Sequence, residues 1–335
     1  MRRRRTLRLL LHPKFLLPVL LAAALLTVAF KLGDLGSVLA RVQAIPLWVM
    51  ALALAAAIVY LALKCWQFHH LLANLGLHPN WRRLLLAFGV GELAVTLPFG
   101  IFAQNWVLST TGKAHFGRSS AATIIMILTE TLVVLLFLAV VGIPGWPELR
   151  PLAIVFALGL VVVVFGSLRF GHIARRIGRK TKQPVLRQVL SELVGLLRGL
   201  KRLSNLRLLA FNLLIAAAYL GALAFAFTVV GRGVGVHHLS YLTAASIYAF
   251  SLAVVLLCGG LFSQIGTVEV LGMGAAQAWG IGLTDGLALM LGFRLVWTGA
   301  VWLVNLPLVF FLWRSLGHRP EPAAASVQRL EEAAD

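Results

Sequence analysis

The chain has 335 residues, of which 60% are hydrophobic and 12% charged, whereas a soluble globular domain carries about 25% charged residues. The mean hydropathy is +0.91 and apolar runs recur along the sequence, so we expect an all-α polytopic membrane protein with no room for a soluble catalytic domain. The formal net charge is +19, and 17 of the 30 basic residues lie in the first 14 residues or in the segment 169–207. Basic segments beside membrane helices set orientation and attract anionic lipid headgroups, which favours a lipid partner over nucleic acid.

The N-terminus is the first predicted element. Its basic residues and the apolar run 15–30 resemble a signal peptide, but no strong small-x-small cleavage site follows. We therefore predict that 15–30 is the first spanning helix, with a cytoplasmic N-terminus. The second span is predicted over Ile45 to Leu63, closed by Lys64, whose ammonium can reach the headgroups. Cys65 to Leu77 is predicted as a separate interfacial helix because Trp66 belongs at the membrane boundary.

Two apolar stretches, 87–111 and 258–282, contain residues that an ordinary spanning helix avoids. The first is interrupted by Leu97-Pro98-Phe99-Gly100, and the second contains paired glycines. Their polar residues are Glu92, Gln104, Asn105, Gln264 and Glu269. Broken backbone at membrane depth requires protein or a water-filled cavity to satisfy it, and two interrupted segments are typical of transporter sites. The stretches therefore predict a polar groove.

The remaining apolar segments complete the predicted fold. They are Ser120 to Gly142, Leu152 to Leu168, Leu208 to Val230, Tyr241 to Leu257 and Leu287 to Leu312. The chain is thus predicted to have about seven to eight hydrophobic helices plus two broken or re-entrant segments. We assign residues 1–313 to a single transmembrane domain and residues 314–335 to a disordered polar tail. The side of the membrane on which the tail emerges stays open.

The segment 169–207 decides how the first broken stretch lies. It carries 11 basic residues, and a full crossing by 87–111 would place them outside, against the positive-inside bias. We therefore predict that 87–111 enters the membrane and returns, whereas 258–282 could cross or re-enter. Within the loop, apolar residues at helical spacing predict an amphipathic helix over 185–203, lying among the lipid headgroups. A linker helix packed on the protein itself is the alternative.

Charged residues inside the spans are candidates for function because Asp, Lys or Arg at a helix centre costs roughly 2.5–3.5 kcal/mol. Glu130 lies about 15 Å along its helix from Ser120, near the middle of the membrane, and we predict that it faces the interior. Arg294 lies in the last span, 25 positions after Glu269, and we predict that these two pair directly or share a headgroup. Alternatively, such charges form ion pairs that only hold the bundle together, or a lone carboxyl is neutral and hydrogen-bonded.

We find no pattern typical of a metal, a cofactor or a catalytic centre. Cys65 and Cys258 stand at no metal-ligand spacing and are expected to be free thiols. The adjacent histidines at 69–70 and at 237–238 point about 100° apart on a helix, so neither pair makes a convincing metal site. Phosphate-binding loops, His-Glu-x-x-His and Gly-x-Ser-x-Gly motifs are absent from the sequence.

The order of these features resembles a flippase-like membrane family that includes the transmembrane region of lysylphosphatidylglycerol synthases and hopanoid-associated membrane proteins. The resemblance spans most of residues 45–312 and rests on Leu97-Pro98 with its polar patch, Ala121-Ala122-Thr123-Ile124-Ile125 leading to Glu130, Gly266-Thr267-Val268-Glu269 and Phe293-Arg294-Leu295. The sequence departs from the family at two places. Ala103-Gln104-Asn105-Trp106 replaces a Gly-Glu pair and an Arg, and Thr131 replaces an Arg after the span acid.

The resemblance implies that the protein translocates or handles a lipid without synthesising it, since the family's soluble aminoacyl-transferase domain is absent. We predict no enzymatic activity and a location in a bacterial cytoplasmic (inner) membrane. A non-transporting accessory subunit of a membrane lipid-modifying enzyme is the alternative, and a membrane-embedded transferase is a third hypothesis. The predicted substrate-binding residues are Glu92, Gln104, Asn105, Glu130, Gln264, Glu269 and Arg294.

Overall fold

The computed structural model describes residues 27, 34–97, 100–111, 115–167, 184–257 and 264–315. These residues form eleven α-helices and a short 3-10 helix, Gly100–Phe102, and contain no strand, which confirms the predicted all-α fold. In chain order the helices are α1 (Leu35–Gln43), α2 (Leu47–Asn74), α3 (Trp81–Ala94), α4 (Ala103–Thr111), α5 (Phe116–Val141), α6 (Leu149–Ser167), α7 (Pro184–Leu203), α8 (Leu206–Gly233), α9 (Tyr241–Leu257), α10 (Gln264–Ala278) and α11 (Leu283–Ser315). The predicted first span, 15–30, lies outside the described residues apart from Thr27, and so does the predicted tail beyond Ser315.

Four of the described helices, α2, α5, α8 and α11, are long and apolar enough to cross a membrane. Shorter apolar helices cover Leu149–Val162 and Tyr241–Leu257. Large apolar side chains such as Val140, Leu214 and Leu303 are exposed on the outer surface of the bundle. Because the helices are apolar on the outside as well as in the core, the fold is that of a multi-pass membrane protein.

The centre of the bundle is the contact between α2 and α8, with α5, α9 and α11 packed around it. Small residues on these helices are fully buried, among them Ala53 and Ala57 on α2 and Ala216 and Ala226 on α8. Small side chains let helix backbones approach closely, and close approach is how membrane helices gain packing energy. This tight centre fixes the positions of the polar side chains that project into it.

Helix α2 corrects one prediction from the sequence. We expected the second span to end at Lys64 and a separate interfacial helix to follow, but α2 continues without interruption from Leu47 to Asn74. Phe68, Leu71 and Leu72 are completely buried beyond Lys64, so the helix remains in the core there. Burial of this second apolar run against the neighbouring helices outweighs the local signal to end the span at a lysine.

The first broken stretch forms a helical hairpin. Helix α3 ends at Ala94, the chain resumes as a 3-10 helix at Gly100, and α4 packs back against α3. At Gly91 a Cβ atom would lie 2.9 Å from the Cβ of Gln104, so glycine is what permits this close approach. The interruption predicted around Pro98 is therefore present.

Helix α7 confirms the predicted amphipathic helix of the basic segment. Its buried residues Val194, Leu197, Leu200 and Leu203 follow helical spacing, and the helix packs on the beginning of α5. There the backbone N–H of Gly117 donates to the Glu192 carboxylate. Packing on the protein agrees with the alternative of a linker helix, while contact with the headgroups stays a prediction.

The second predicted broken stretch is described only from Gln264 onward. It forms helix α10, in whose first turn Gly266 has a left-handed φ of 86°; the helix packs between α9 and α11 and is followed by a turn with Gly280 at a φ of 76°. The left-handed backbone at Gly280 favours glycine and directs the chain into α11. The paired glycines on which the predicted break rested lie outside the described residues.

Candidate functional site

The most buried charges in the described part of the chain meet around Lys64. Its ammonium lies 3.2 Å from the Glu92 carboxylate and 3.2 Å from the Glu130 carboxylate. It also donates a 2.7 Å hydrogen bond to the Tyr60 hydroxyl, and the Tyr219 hydroxyl donates to Glu130 at 2.9 Å. These five side chains, on α2, α3, α5 and α8, are named here the Lys64 cluster.

Each member of the Lys64 cluster is positioned by the packing of its helix. Glu92 lies near the end of α3, and Gly89 allows this helix to lie directly against Asn305 and Val309 of α11. Glu130 faces inward from α5 with a relative exposure of 5%, as predicted from its position along the span. Three separate helices thus bring two carboxylates to one ammonium.

The charges of the Lys64 cluster do not balance. One ammonium faces two carboxylates, and their side-chain exposures are 4% for Lys64 and 7% for each glutamate. Removing an ion from water costs several kcal/mol, which only close opposite charges and hydrogen bonds offset. With all groups ionised, the cluster therefore carries one uncompensated negative charge at a depth where charge is expensive.

A cavity adjoins the Lys64 cluster. It encloses about 90 Å³ and is partly open to the outside of the bundle, and this is enough space for several water molecules. Its charged and tyrosine lining residues are Tyr60, Lys64, Glu92, Glu130, Tyr248 and Arg294. Its apolar lining residues include Leu220, Leu223, Leu252, Leu256, Trp297 and Trp302. Val95, Thr96 and Ile101, from the turn of the α3–α4 hairpin, complete the lining.

Arg294 connects this cavity to a second charged group. Its Nε donates a 2.6 Å hydrogen bond to Glu269 of α10, which also accepts from the backbone N–H of Gly266 at 2.6 Å. Direct pairing was one of the two arrangements predicted for Glu269 and Arg294, and it is confirmed. Glu269 is buried with an exposure of 1%, whereas Arg294 also lines the cavity.

The predicted amide residues lie apart from the cavity lining. Gln104 and Asn105 are buried on α4, and each donates a 2.8 Å hydrogen bond to the Thr123 hydroxyl of α5. These bonds attach the hairpin to α5. The side chain of Gln264 lies outside the described residues. Of the seven predicted site residues, the structure therefore brings Glu92, Glu130 and Arg294 to one cavity.

Comparison with known families agrees with this architecture. The family model for the lysylphosphatidylglycerol synthase TM region matches residues 15–304. The chain belongs to this family. A comparison with curated proteins finds no match. Membership confirms the resemblance seen in the sequence and makes the chain a membrane protein related to lipid handling.

Three residues of the Lys64 cluster were not predicted from the sequence of this family member. Lys64 was assigned to the membrane boundary, and Tyr60 and Tyr219 were not considered. One signal was available: the apolar residues at positions 68, 71 and 72 continue the helical pattern beyond Lys64. A helix extended through them places Tyr60 and Lys64 four residues apart on one face, with Lys64 inside the span. Tyr219 carries no comparable signal because an aromatic residue in a span is ordinarily core.

Proposed function

We propose that the protein translocates a lipid, or a lipid-linked intermediate, between the leaflets of a bacterial cytoplasmic membrane. The observation that carries the proposal is a partly open cavity lined by both charged and apolar side chains inside an apolar bundle. A headgroup that crosses hydrocarbon alone loses its hydration at a high cost. The charged side chains of the Lys64 cluster replace that hydration, while the lipid tails stay against the apolar lining residues and the surrounding bilayer.

The α3–α4 hairpin supports a re-entrant arrangement at this site. The Arg118 guanidinium at the beginning of α5 contacts the Leu75 carbonyl at the end of α2, so both connections of the hairpin lie together. The turn of the hairpin contributes Thr96 and Ile101 to the cavity, which supports a segment that enters the membrane and returns. Irregular backbone at that depth lines a cavity, as membrane proteins require.

Orientation and partners follow from the basic residues. We place the N-terminus and the segment 169–207 on the cytoplasmic side, where Arg198, Lys201 and Arg202 are exposed on α7 and can contact anionic headgroups. Neither a cofactor nor a catalytic step is part of this proposal. A membrane enzyme that makes or modifies the lipid would be the natural partner.

A leaflet-resolved assay tests the proposal. The purified protein is placed in liposomes with fluorescent lipids of different headgroups, and the fraction in each leaflet is followed by chemical quenching from outside. We expect faster exchange for at least one headgroup and a loss of that exchange in Glu130→Gln, which keeps the volume and removes a charge. The matched control is Glu148→Gln, because Glu148 is an exposed acid in the loop before α6.

The same liposomes separate the other hypotheses. Exchange at the protein-free rate with every lipid would contradict translocation and favour an accessory subunit. Appearance of a chemically altered lipid would identify a membrane-embedded transferase. Exchange by Glu130→Gln at the wild-type rate would limit the Lys64 cluster to a structural role.

A further inference from the structure

The Lys64 cluster continues into a line of polar side chains along α2. Tyr60, Lys64, Gln67, His70 and Asn74 follow one another at intervals of four, three, three and four residues, so they share one face of the helix. We call this line the α2 polar stripe. At 1.5 Å per residue it extends about 21 Å, two thirds of a hydrocarbon core of roughly 30 Å.

Gln67, in the middle of the stripe, has an unsatisfied acceptor. Its amide donates to the Thr129 hydroxyl at 3.2 Å and to the backbone carbonyl of Asn212 at 3.1 Å. The side-chain oxygens of Gln67 and Asn212 have no hydrogen-bond partner, although both residues are completely buried. Buried polar atoms nearly always have a hydrogen-bond partner in the protein or in an ordered water molecule. Because Gln67 and Asn212 contact each other and both side-chain oxygens lack a protein partner, we infer a water position beside them.

The stripe leaves the core at its far end. The Asn74 side chain donates to the backbone carbonyl of His70 at 2.9 Å and lies 3.3 Å from the His70 ring nitrogen Nε2. Both residues are partly exposed, close to the turn where Arg118 contacts Leu75. The stripe thus connects the Lys64 cluster to the end of the bundle opposite the start of α2.

The net charge of the Lys64 cluster favours the binding of a proton, which the α2 polar stripe could conduct. Among the residues that the structure describes, the titratable or charged groups that face Glu92 and Glu130 from the packed helices are Tyr60, Lys64, Cys65, Tyr219, Tyr248, Arg294 and, bound to Arg294, Glu269. Two of these described groups are cations, Lys64 and Arg294, and Arg294 is paired with Glu269. One negative charge is therefore left over, and a proton on a carboxylate removes it without any larger ion.

We propose that Glu92 and Glu130 share one exchangeable proton, and that water on the α2 polar stripe carries this proton to and from the membrane face at Asn74. On uptake, a proton from water bonds to one carboxylate oxygen, and the cluster changes from a net charge of −1 to 0. On release, that O–H bond breaks and the proton returns to water. The change in net charge alters the electrostatic interaction between the cluster and a headgroup in the adjacent cavity. A proton gradient can therefore drive lipid movement, a consequence that rests on the proposed translocation.

Proton binding can be measured without any lipid transport. Infrared difference spectra of the protein in liposomes, taken between acidic and alkaline buffer, report the C=O stretch of a buried protonated carboxyl. We expect this band in the wild type and a weaker or missing band in both Glu92→Gln and Glu130→Gln. Two variants are used so that misfolding of one does not decide the result. A spectrum unchanged in both folded variants would overturn the proposal.

The path is tested by the rate at which the band appears after a rapid pH jump. Gln67→Met keeps the side-chain length and removes the orphaned oxygen, so we expect the band at its full size but slower by roughly tenfold or more. Thr228→Val is the control, since Thr228 is a buried polar residue on α8 outside the stripe and its hydroxyl donates only to the Ala224 carbonyl of its own helix. Equal rates in Gln67→Met and the wild type would rule out the stripe as the path.

The coupling is judged in the leaflet assay with an imposed pH gradient. We expect lipid exchange to become directional and to reverse with the sign of the gradient. Exchange that proceeds equally under both gradients would refute coupling while leaving translocation established. A titrating carboxyl band in a protein that moves no lipid would instead remove the proposed function and retain the proton site.

Discussion

The bundle contains two groups of charged side chains beside one cavity. They differ in the ratio of acids to cations and in the helices that they connect. Glu269 and Arg294 form a one-to-one pair between α10 and α11, two helices connected by a short turn. The Lys64 cluster sets one ammonium between two carboxylates and joins four helices, α2, α3, α5 and α8, of which α8 begins more than 130 residues after α2 ends. The first group is complete in itself, whereas the second requires a further positive charge or a proton.

This difference separates a structural role from a functional one. Glu269 has a second partner in the N–H of Gly266, so its carboxylate also fixes the beginning of α10. Protonation or deprotonation would not stabilise a pair whose charges are balanced and hydrogen-bonded. An unbalanced cluster in contact with a cavity changes state whenever a proton or a charged headgroup enters. Function is therefore expected at Lys64, and the Glu269–Arg294 pair is expected to maintain the wall beside it.

The largest effect is expected from removing Lys64, because two buried carboxylates would then face each other without a cation. We expect Lys64→Met to lower the free energy of unfolding by about 3–5 kcal/mol. Thermal unfolding of the detergent-solubilised protein, followed by circular dichroism, measures the loss. Adding Glu92→Gln and Glu130→Gln to Lys64→Met should restore part of it, since neutral amides need no cation. A Lys64→Met protein as stable as the wild type would show that the cluster holds no buried charge.

A smaller effect is expected at the balanced pair. The Glu269 side chain is only 2% exposed, so Arg294→Met strands one buried carboxylate, whereas Lys64→Met strands two. Because the backbone N–H of Gly266 still donates to Glu269, we expect a loss of about 3 kcal/mol, at the lower end of the range for a buried pair, measured by the same unfolding experiment. The exchange Glu269→Arg with Arg294→Glu should recover part of this loss, as coupled residues do. Recovery cannot be complete because the bond from Gly266 is lost.

The opposite pattern would reverse the assignment of roles. If both single variants at 269 and 294 stayed folded, and the exchanged pair rescued no transport activity, these two residues would bind the headgroup separately. The balanced pair would then belong to the functional site, and the distinction between the two groups would fail.

Helix positions and the depth of the charges were predictable because they depend on local pattern. Span limits such as Tyr241 to Leu257 follow from where apolar runs begin and end, and Glu130 could be placed by counting residues along a helix. The hairpin was also foreseen, since a proline and glycines at membrane depth leave few other arrangements. Family membership supports the same reading of the chain.

The composition of the site was less predictable because it depends on tertiary contacts. A lysine near a predicted helix end can reach the headgroups or turn inward, depending on whether the bundle offers it a buried acid. The acids that pair with Lys64, Glu92 and Glu130, lie 28 and 66 positions later in the sequence, so local pattern does not reveal them. For Gln104 and Asn105, polarity in a broken stretch predicted a binding role. In the structure both amides donate to the Thr123 hydroxyl, since buried polar groups take a nearby hydrogen-bond partner, and their role in binding stays a prediction.

The smallest effect, with no expected change in stability, concerns the hairpin that carries Glu92 to the Lys64 cluster. If α3 and α4 enter the membrane and return, both outer ends of the hairpin lie on one side, together with α7. Single cysteines at Arg83, His115 and Lys201, all exposed positions, are introduced after replacing Cys65 and Cys258. We expect an impermeant thiol reagent to label all three in inverted membrane vesicles and none in intact cells. Labelling of positions 83 and 115 from opposite sides would show that the first stretch crosses. In that case Glu92 would lie on a segment that crosses the membrane, and the α3–α4 hairpin would not be re-entrant.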